Sequence, residues 1–400
     1  MINEWPAYEP GPAARIRVAF FAEILTEGLD GAVRTMYQLI NRIDKSRFEF
    51  LFIYGDGPDA IDGFESIQVP TLKLPSPGYS LALPALAEHK VKKALQQFAP
   101  QVIHIATPSM LGVFGLNYAT AHRVPVISIY HTHFISYIDY YFKYAPFLIR
   151  PVKGMVEANH RGFYNRCSKI YVPSESMRGE LSEMGVKPNR MQLWKRGIDT
   201  QLFSPAKRDK AALHKLTGNT LPTILFASRL VWEKNLETLF AVYDLFKQKG
   251  PRVNFVIAGD GVAAKASKSR MPDAVFTGKV GHNQLAVLYA SADVFLFPSV
   301  SETYGNVVLE AMASGLPCVI ADGGGSADFI EQGVNGFKCE PYNAQGYADK
   351  INLLLADDAI RAHFVKQGLA YSQSFSWNEL ATRYFDDLAL LAERKILAAV

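Results

Sequence analysis

Residues 294–317 read VFLFPSVSETYGNVVLEAMASGLP, and no other stretch of the chain restricts its fold as tightly. An apolar strand end, Val294 to Phe297, meets Pro298. A polar loop follows, and a helix opens near Gly305 and Asn306. A helix opening presents unpaired backbone N–H groups at the positive end of a dipole, so it attracts anions such as phosphate. Glu302 lies on the loop before the opening, and Glu310 lies eight residues on, inside the helix. Amides that hold a diphosphate, flanked by carboxylates that accept hydrogen bonds from sugar and ribose hydroxyls, suit a nucleotide sugar. Two glutamates at this spacing are common in proteins, so the pair alone carries little weight.

Four hundred residues exceed one ordinary core and predict two domains of similar size. An apolar content of 49% and a charged content of 20% are those of a soluble globular protein. No run of about 18 apolar residues predicts a spanning helix. The lead MINEWPAYEPGPAA has no basic start before an apolar core, so it does not read as a secretory signal; residues 1–14 read as a disordered lead. Cys167, Cys318 and Cys339 show no C-x-x-C spacing. They suggest neither a disulfide frame nor a zinc site and fit a reducing cytosol. The net charge of +4 comes without a basic, aromatic-interleaved run, so nucleic acid is not expected as a partner. An anionic membrane surface is compatible with it.

Strand and helix signals alternate. Strands are expected at 15–22, 48–54, 102–106, 124–130 and 169–172, with helices at 32–43, 91–98 and 174–184, the last capped by Ser174. The pattern restarts after residue 200. Strands are expected at 223–227, 254–258, 274–277, 294–297 and 317–321, and helices at 235–249, 283–290 and 305–314, before a final helical group. This alternation indicates parallel sheets covered on both faces: an α/β chain of two doubly wound domains, with ligand at the C-terminal strand ends. The expected division is 15–200, 201–375 and a helical 376–400.

Three further segments carry candidate chemistry. In FASRLVWEKN, Arg229 and Lys234 follow the first strand of the second half. Arg as a planar fork and Lys as a mobile charge can clamp a diphosphate and stabilise the negative charge growing on it as a sugar bond breaks. In SIYHTHF, His131 and His133 follow a strand, and no further ligands at convincing spacing support a zinc site. In EILTEGLDGAVRT, Gly31 opens a helix, and glycine permits close backbone approach. That segment lacks G-x-G-x-x-G, against a dinucleotide dehydrogenase. No D-x-D divalent-metal clamp and no G-x-S-x-G elbow is present.

The segment from Pro298 through Glu302, Gly305, Asn306, Glu310 and EAMASGLP to the Gly323–Gly325 turn resembles the E-x7-E region of the family 4 retaining glycosyltransferases. FASRLVWEKN is similar to that family's G-R-L-x-x-E-K-N, with Trp232 where many members have proline. The resemblance runs from about residue 15 to about residue 340, and it implies the GT-B architecture: two Rossmann-like domains facing a central cleft, the last helices crossing back to the first. It implies His131, Arg229, Lys234 and Glu302 as the catalytic set, with His131 orienting the donor sugar. Donor contacts are implied at Gly31, Arg196, Gly259, Gly261, Lys279, Val280, Tyr304, Gly305, Asn306, Val307 and Glu310. The reaction implied is transfer of a hexose of mannose or glucose type from a UDP- or GDP-linked donor to a hydroxyl acceptor. No metal and no cofactor are expected.

The stretch after His133 crowds Tyr137, Tyr140, Tyr141, Phe142, Tyr144 and Phe147 beside Lys143, Arg150 and Lys153. A helix packed on the core fits this composition. So does an acceptor pocket, with His133, Tyr137, Tyr140 and Tyr141, or a membrane-facing patch. Together with SETYGNVVLEAMASG, this pattern is similar to the family branch of glycolipid α-mannosyltransferases and sulfoquinovosyl-diacylglycerol synthases. A cytoplasmic protein, peripheral on the inner membrane face, is expected. A nucleotide-sugar epimerase of the same architecture and a non-catalytic sugar-nucleotide binder remain as alternatives.

Overall fold

The computed structural model describes residues 15–27, 31–73, 80–131, 146–249 and 252–397. Its strands are β1 (Ile16–Ile24), β2 (Phe48–Asp56), β3 (Glu65–Gln68), β4 (Thr71–Lys73), β5 (Ser80–Ala82), β6 (Val102–Ile105), β7 (Val126–Ile129), β8 (Lys169–Val172) and β9 (Met191–Leu193) in the first half. The second half contributes β10 (Thr223–Ala227), β11 (Asn254–Ala258), β12 (Val275–Gly278), β13 (Val294–Phe297), β14 (Cys318–Ala321) and β15 (Phe337–Cys339). One sheet has the order β3-β2-β1-β6-β7-β8-β9 and the other β12-β11-β10-β13-β14-β15, while β4 and β5 form an antiparallel hairpin. The ladders within the second sheet are all parallel. Its order, outward in both directions from the first strand, is the doubly wound topology, and ligands of such sheets bind beyond the carboxyl ends of the strands.

The chain groups into two compact units. One comprises Met1–Ile129, Phe163–Ile170 and Ala381–Val400; the other comprises Tyr130–Gly162 and Tyr171–Leu380. Strands β10, β13 and β14 are buried at every residue, which is why they read as unbroken apolar runs rather than alternating ones. Most expected elements lie within a residue or two of their places. Ser174 caps Glu175–Glu183, its hydroxyl accepting from the Met177 N–H at 3.2 Å.

The helix Met110–Ala121 has no counterpart in the sequence reading. It is apolar almost all round and carries two glycines, so no amphipathic stripe announces it. The glycines serve close packing. A Cβ on Gly112 would strike the Thr107 carbonyl, and one on Gly115 would press on the Phe21 ring. Among the described residues, no helix is long and apolar enough to cross a membrane.

In the first unit, His104 of β6 is fully buried, stacked on Phe20 at 4.1 Å between centroids. Its Nδ1 lies 3.0 Å from the hydroxyl of Tyr384 on the last helix, Trp377–Leu397. Lys169 meets Asp387 of that helix at 2.6 Å, and Phe385 meets Phe48 at 5.2 Å between ring centroids. Burial pushes the His104 pKa down from 6.5 to about 3, so the folded chain keeps the imidazole neutral. Between those values the unfolded chain binds the extra proton. Stability therefore falls as pH drops from about 6.5 toward about 3, by up to about 1.4 kcal/mol per pH unit from this group. Urea unfolding of the double variant His104→Phe/Tyr384→Phe is expected to show a shallower loss of stability between pH 6 and 4 than wild type; an unchanged slope rules His104 out as its source.

Candidate functional site

The loop after β13 is shaped by Gly305. This residue has φ +80 and caps the helix Asn306–Ala313, and no side chain caps the first turn. A Cβ there would collide with Ser326, so only glycine reconciles the positive φ with this approach. The Gly325 N–H donates to the Glu302 carbonyl at 2.7 Å and fixes the loop from the following turn. Among the described residues no side chain caps this first turn, so the helix opens with its dipole directly after the residue triplet Glu302–Tyr304.

The second component comes from the loop after β10. Trp232–Lys234 forms a single tight turn, and Asn235 follows in the left-handed region at φ +53. The Asn235 amide donates to the Pro298 carbonyl at 3.1 Å and to the Pro341 carbonyl at 2.8 Å, while its oxygen accepts from Thr238 at 2.9 Å. This clamp sets the preceding lysine. Lys234 is buried, and its Nζ lies 2.5 Å from Glu302 Oε1 and 3.5 Å from Ser301 Oγ. Ser301 donates to the Glu233 carbonyl at 2.8 Å, and Ser299 reaches Glu302 at 3.4 Å. A shielded ion pair of this kind adds little net stability, because desolvation offsets attraction. Its effect is to hold a cation and a carboxylate in fixed orientation beside the helix opening.

Arg229 is exposed at the end of β10. The Gly259–Gly261 turn after β11 is strapped to the same segment: Leu230 N–H donates to the Asp260 carbonyl and Ala263 N–H to the Leu230 carbonyl, each at 2.9 Å. Gly259 has φ +145, and a Cβ would strike the Ser228 carbonyl. Gly259 N–H in turn donates to the Gly278 carbonyl at 2.9 Å, next to exposed Lys279 and half-buried Val280. The carboxyl ends of β10, β11, β12 and β13 thus bring together Arg229, Lys234, Gly259, Gly261, Lys279, Val280, Glu302, Gly305, Asn306 and Val307.

Other expected residues are more deeply placed or lie outside this cluster. Glu310 is buried, and its Oε2 accepts from the Tyr289 hydroxyl at 3.4 Å. The Tyr304 side chain turns into the core, edge-on to Phe329 at 4.6 Å between centroids. Its hydroxyl donates to the Arg196 carbonyl at 2.8 Å, and buried Arg196 donates from Nη2 to the His131 carbonyl at 3.3 Å. Gly31 belongs to the first unit, where it begins the helix Gly31–Ile40. His133, Tyr137, Tyr140 and Tyr141 lie outside the described residues. Ser299, Ser301 and Asn235 were missed by sequence reasoning. Only the asparagine had a signal, standing between a lysine and an apolar helical run where a left-handed turn is needed.

Family models and known proteins match the chain over most of its length. The family described as Glycosyl transferases group 1 matches residues 207–370, and Glycosyltransferase Family 4 matches residues 29–202. A GDP-mannose-dependent alpha-mannosyltransferase of Mycobacterium tuberculosis is 30% identical over 79% of this chain and 81% of its own length. Sulfoquinovosyl transferase SQD2 of Arabidopsis thaliana is 32% identical over 77% of this chain, which spans 60% of that protein. Among solved structures, Anabaena Alr3699/HepE in complex with UDP and glucose superposes with a TM-score of 0.72, at 20% identity, covering 94% of this chain and all of the other.

The strapped turn yields a stability prediction. Gly259→Ala is expected to cost at least about 2 kcal/mol in urea unfolding, through its positive φ and the Ser228 collision. Gly281→Ala, with nothing near its Cβ position, is expected to stay within about 0.5 kcal/mol. Equal effects of the two would contradict the strap.

Proposed function

The chain belongs to glycosyltransferase family 4, of GT-B fold and in the branch with the α-mannosyltransferases and the sulfoquinovosyl transferase, and from that membership we propose a specific reaction. It moves a hexosyl unit of mannose or glucose type from a nucleotide-diphospho-sugar to a hydroxyl acceptor, with retention at the anomeric carbon and without a metal. The observation that carries this reading is the Lys234–Glu302 pair at the threshold of the helix opened by Gly305. As the glycosidic bond to the diphosphate breaks, negative charge grows on the leaving oxygen. Lys234, Arg229 and the first amides of Asn306–Ala313 neutralise it there, and preorganised charge of this kind lowers a barrier by several kcal/mol, as an order of magnitude. Glu302 accepts from sugar hydroxyls, and Glu310, which accepts from the Tyr289 hydroxyl, is assigned the ribose. His131 orients the sugar, while Arg196 reaches phosphate or acceptor.

The acceptor is read as a lipid-linked hydroxyl presented at an anionic membrane. Phe147, Leu148, Pro151 and Met155 are exposed at helical spacing around the start of Ile149–Tyr164, with Phe147 76% and Met155 59% accessible. Exposed Arg150 and Arg161 flank them. An apolar stripe bordered by cations suits the headgroup boundary of an anionic bilayer. A cytoplasmic location on the inner membrane face follows from that partner.

A donor panel of GDP-mannose, UDP-glucose and UDP-galactose tests the reading, with and without phosphatidylglycerol vesicles and EDTA. Nucleoside diphosphate release from one donor, unaffected by EDTA and raised by vesicles, is the expected result. A donor converted to its epimer, or bound with no turnover, would replace the transferase reading by another; loss of rate in EDTA would end the metal-free mechanism. In the same assay Lys234→Ala is expected to lower turnover about 10²–10³-fold with an unchanged circular dichroism spectrum. A near-normal rate would remove the lysine from the diphosphate.

A further inference from the structure

Tyr304 sits between Glu302 and Gly305 in the most constrained loop of the chain, yet its side chain does not share that loop's surface. The ring is buried, and Phe329 fixes it edge-on. Its hydroxyl donates to the Arg196 carbonyl at 2.8 Å, and the Arg196 guanidinium carbon stands 5.5 Å from the ring centroid. Arg196 then donates to the His131 carbonyl at 3.3 Å. Two contacts of different kinds, one to the backbone and one to the side chain, thus run from a single tyrosine to a single arginine. Phenylalanine would fill the same core space, so packing alone does not call for the hydroxyl. Burial holds the phenol far above its ordinary pKa, and it stays a donor throughout the working pH range.

We propose that Tyr304 is a positioning residue for Arg196: it sets the plane of the guanidinium from below and anchors that residue's own carbonyl, so that Arg196 and His131 keep a fixed relation to the loop of Glu302. The inference rests on the reading that Arg196, His131 and Glu302 serve a sugar-nucleotide donor. Cation–π attraction at this distance orients a planar guanidinium, whereas a point-charged ammonium gains no plane from it. A group that acts through orientation at the reacting centre lowers turnover more than donor affinity when removed.

Hydrolysis of GDP-mannose and UDP-glucose is measured for wild type, Tyr304→Phe, Arg196→Ala, Arg196→Lys and the double variant Tyr304→Phe/Arg196→Ala, with circular dichroism on each. Tyr304→Phe is expected to lose about tenfold in kcat, with donor KM within about twofold. In the Arg196→Ala background the same change should alter kcat by less than about twofold, because the guanidinium it positions is gone, although the carbonyl it anchors remains. Multiplicative losses, or a wild-type kcat for Tyr304→Phe, overturn the proposal. Arg196→Lys keeps charge and carbonyl but loses the plane, and it reads the contact even if Tyr304→Phe fails to fold. It should lose kcat about as much as Tyr304→Phe, and full activity overturns the proposal. If Arg196→Ala leaves kcat intact while Lys234→Ala removes it, the positioning role fails and the transferase reading stands. If wild type releases nucleoside diphosphate from no donor of the panel, with or without vesicles, the transferase reading fails and this inference goes with it.

Discussion

Lys234 and Glu302 lie 68 positions apart and meet at 2.5 Å. That contact depends on two loops being held at one height above the same sheet. The Asn235 amide supplies the connection, donating both to the carbonyl of Pro298, just after β13, and to the carbonyl of Pro341. Without such a clamp, an ammonium on four flexible methylenes would wander, and the entropy of fixing it would weaken any work it does on a substrate. The pair is therefore better understood as preorganisation than as a stabilising bridge.

The same economy governs the neighbouring turns. Gly259 lets one backbone strand lie against Ser228, and Gly305 lets another lie against Ser326. In both places a side chain has been deleted so that main-chain groups can come forward. The result is a rim in which bare backbone at Gly259 and Gly305 stands beside the side chains, and neither stretch has room for an added Cβ. Cations of two kinds border it, Arg229 exposed and Lys234 shielded.

Much of this was legible before the structure. Period and length located β8, β10, β11 and β13 to the residue, because strands buried on both faces show as short apolar runs bounded by polar turns. The family resemblance singled out Arg229, Lys234, Glu302, Gly259 and Gly305, and the second sheet brings them to one end. What stayed hidden shares a physical cause: it depends on partners distant in sequence. The direction of Tyr304 is set by Phe329 and the Arg196 carbonyl, and local pattern says nothing about either. Burial of Glu310 is decided by Tyr289 on another helix. The helix Met110–Ala121 escaped because it is apolar almost all round and shows no stripe, while the fold uses its glycines for contact with the Thr107 carbonyl and the Phe21 ring.

The composition of the first unit has a further consequence. Its strands β2 and β6 share a core with the segment beginning at Ala381, where Tyr384 reaches His104 and Phe385 covers Phe48. Ribosomes deliver a chain in order, and domains generally fold as they emerge. Here β1, β2 and β6 are synthesised well before Tyr384 and Phe385, whose seat stays unfilled in the interval. Nascent chains of this protein thus expose the faces of Phe48 and His104 that the last helix covers, and truncation before Ala381 leaves those faces uncovered.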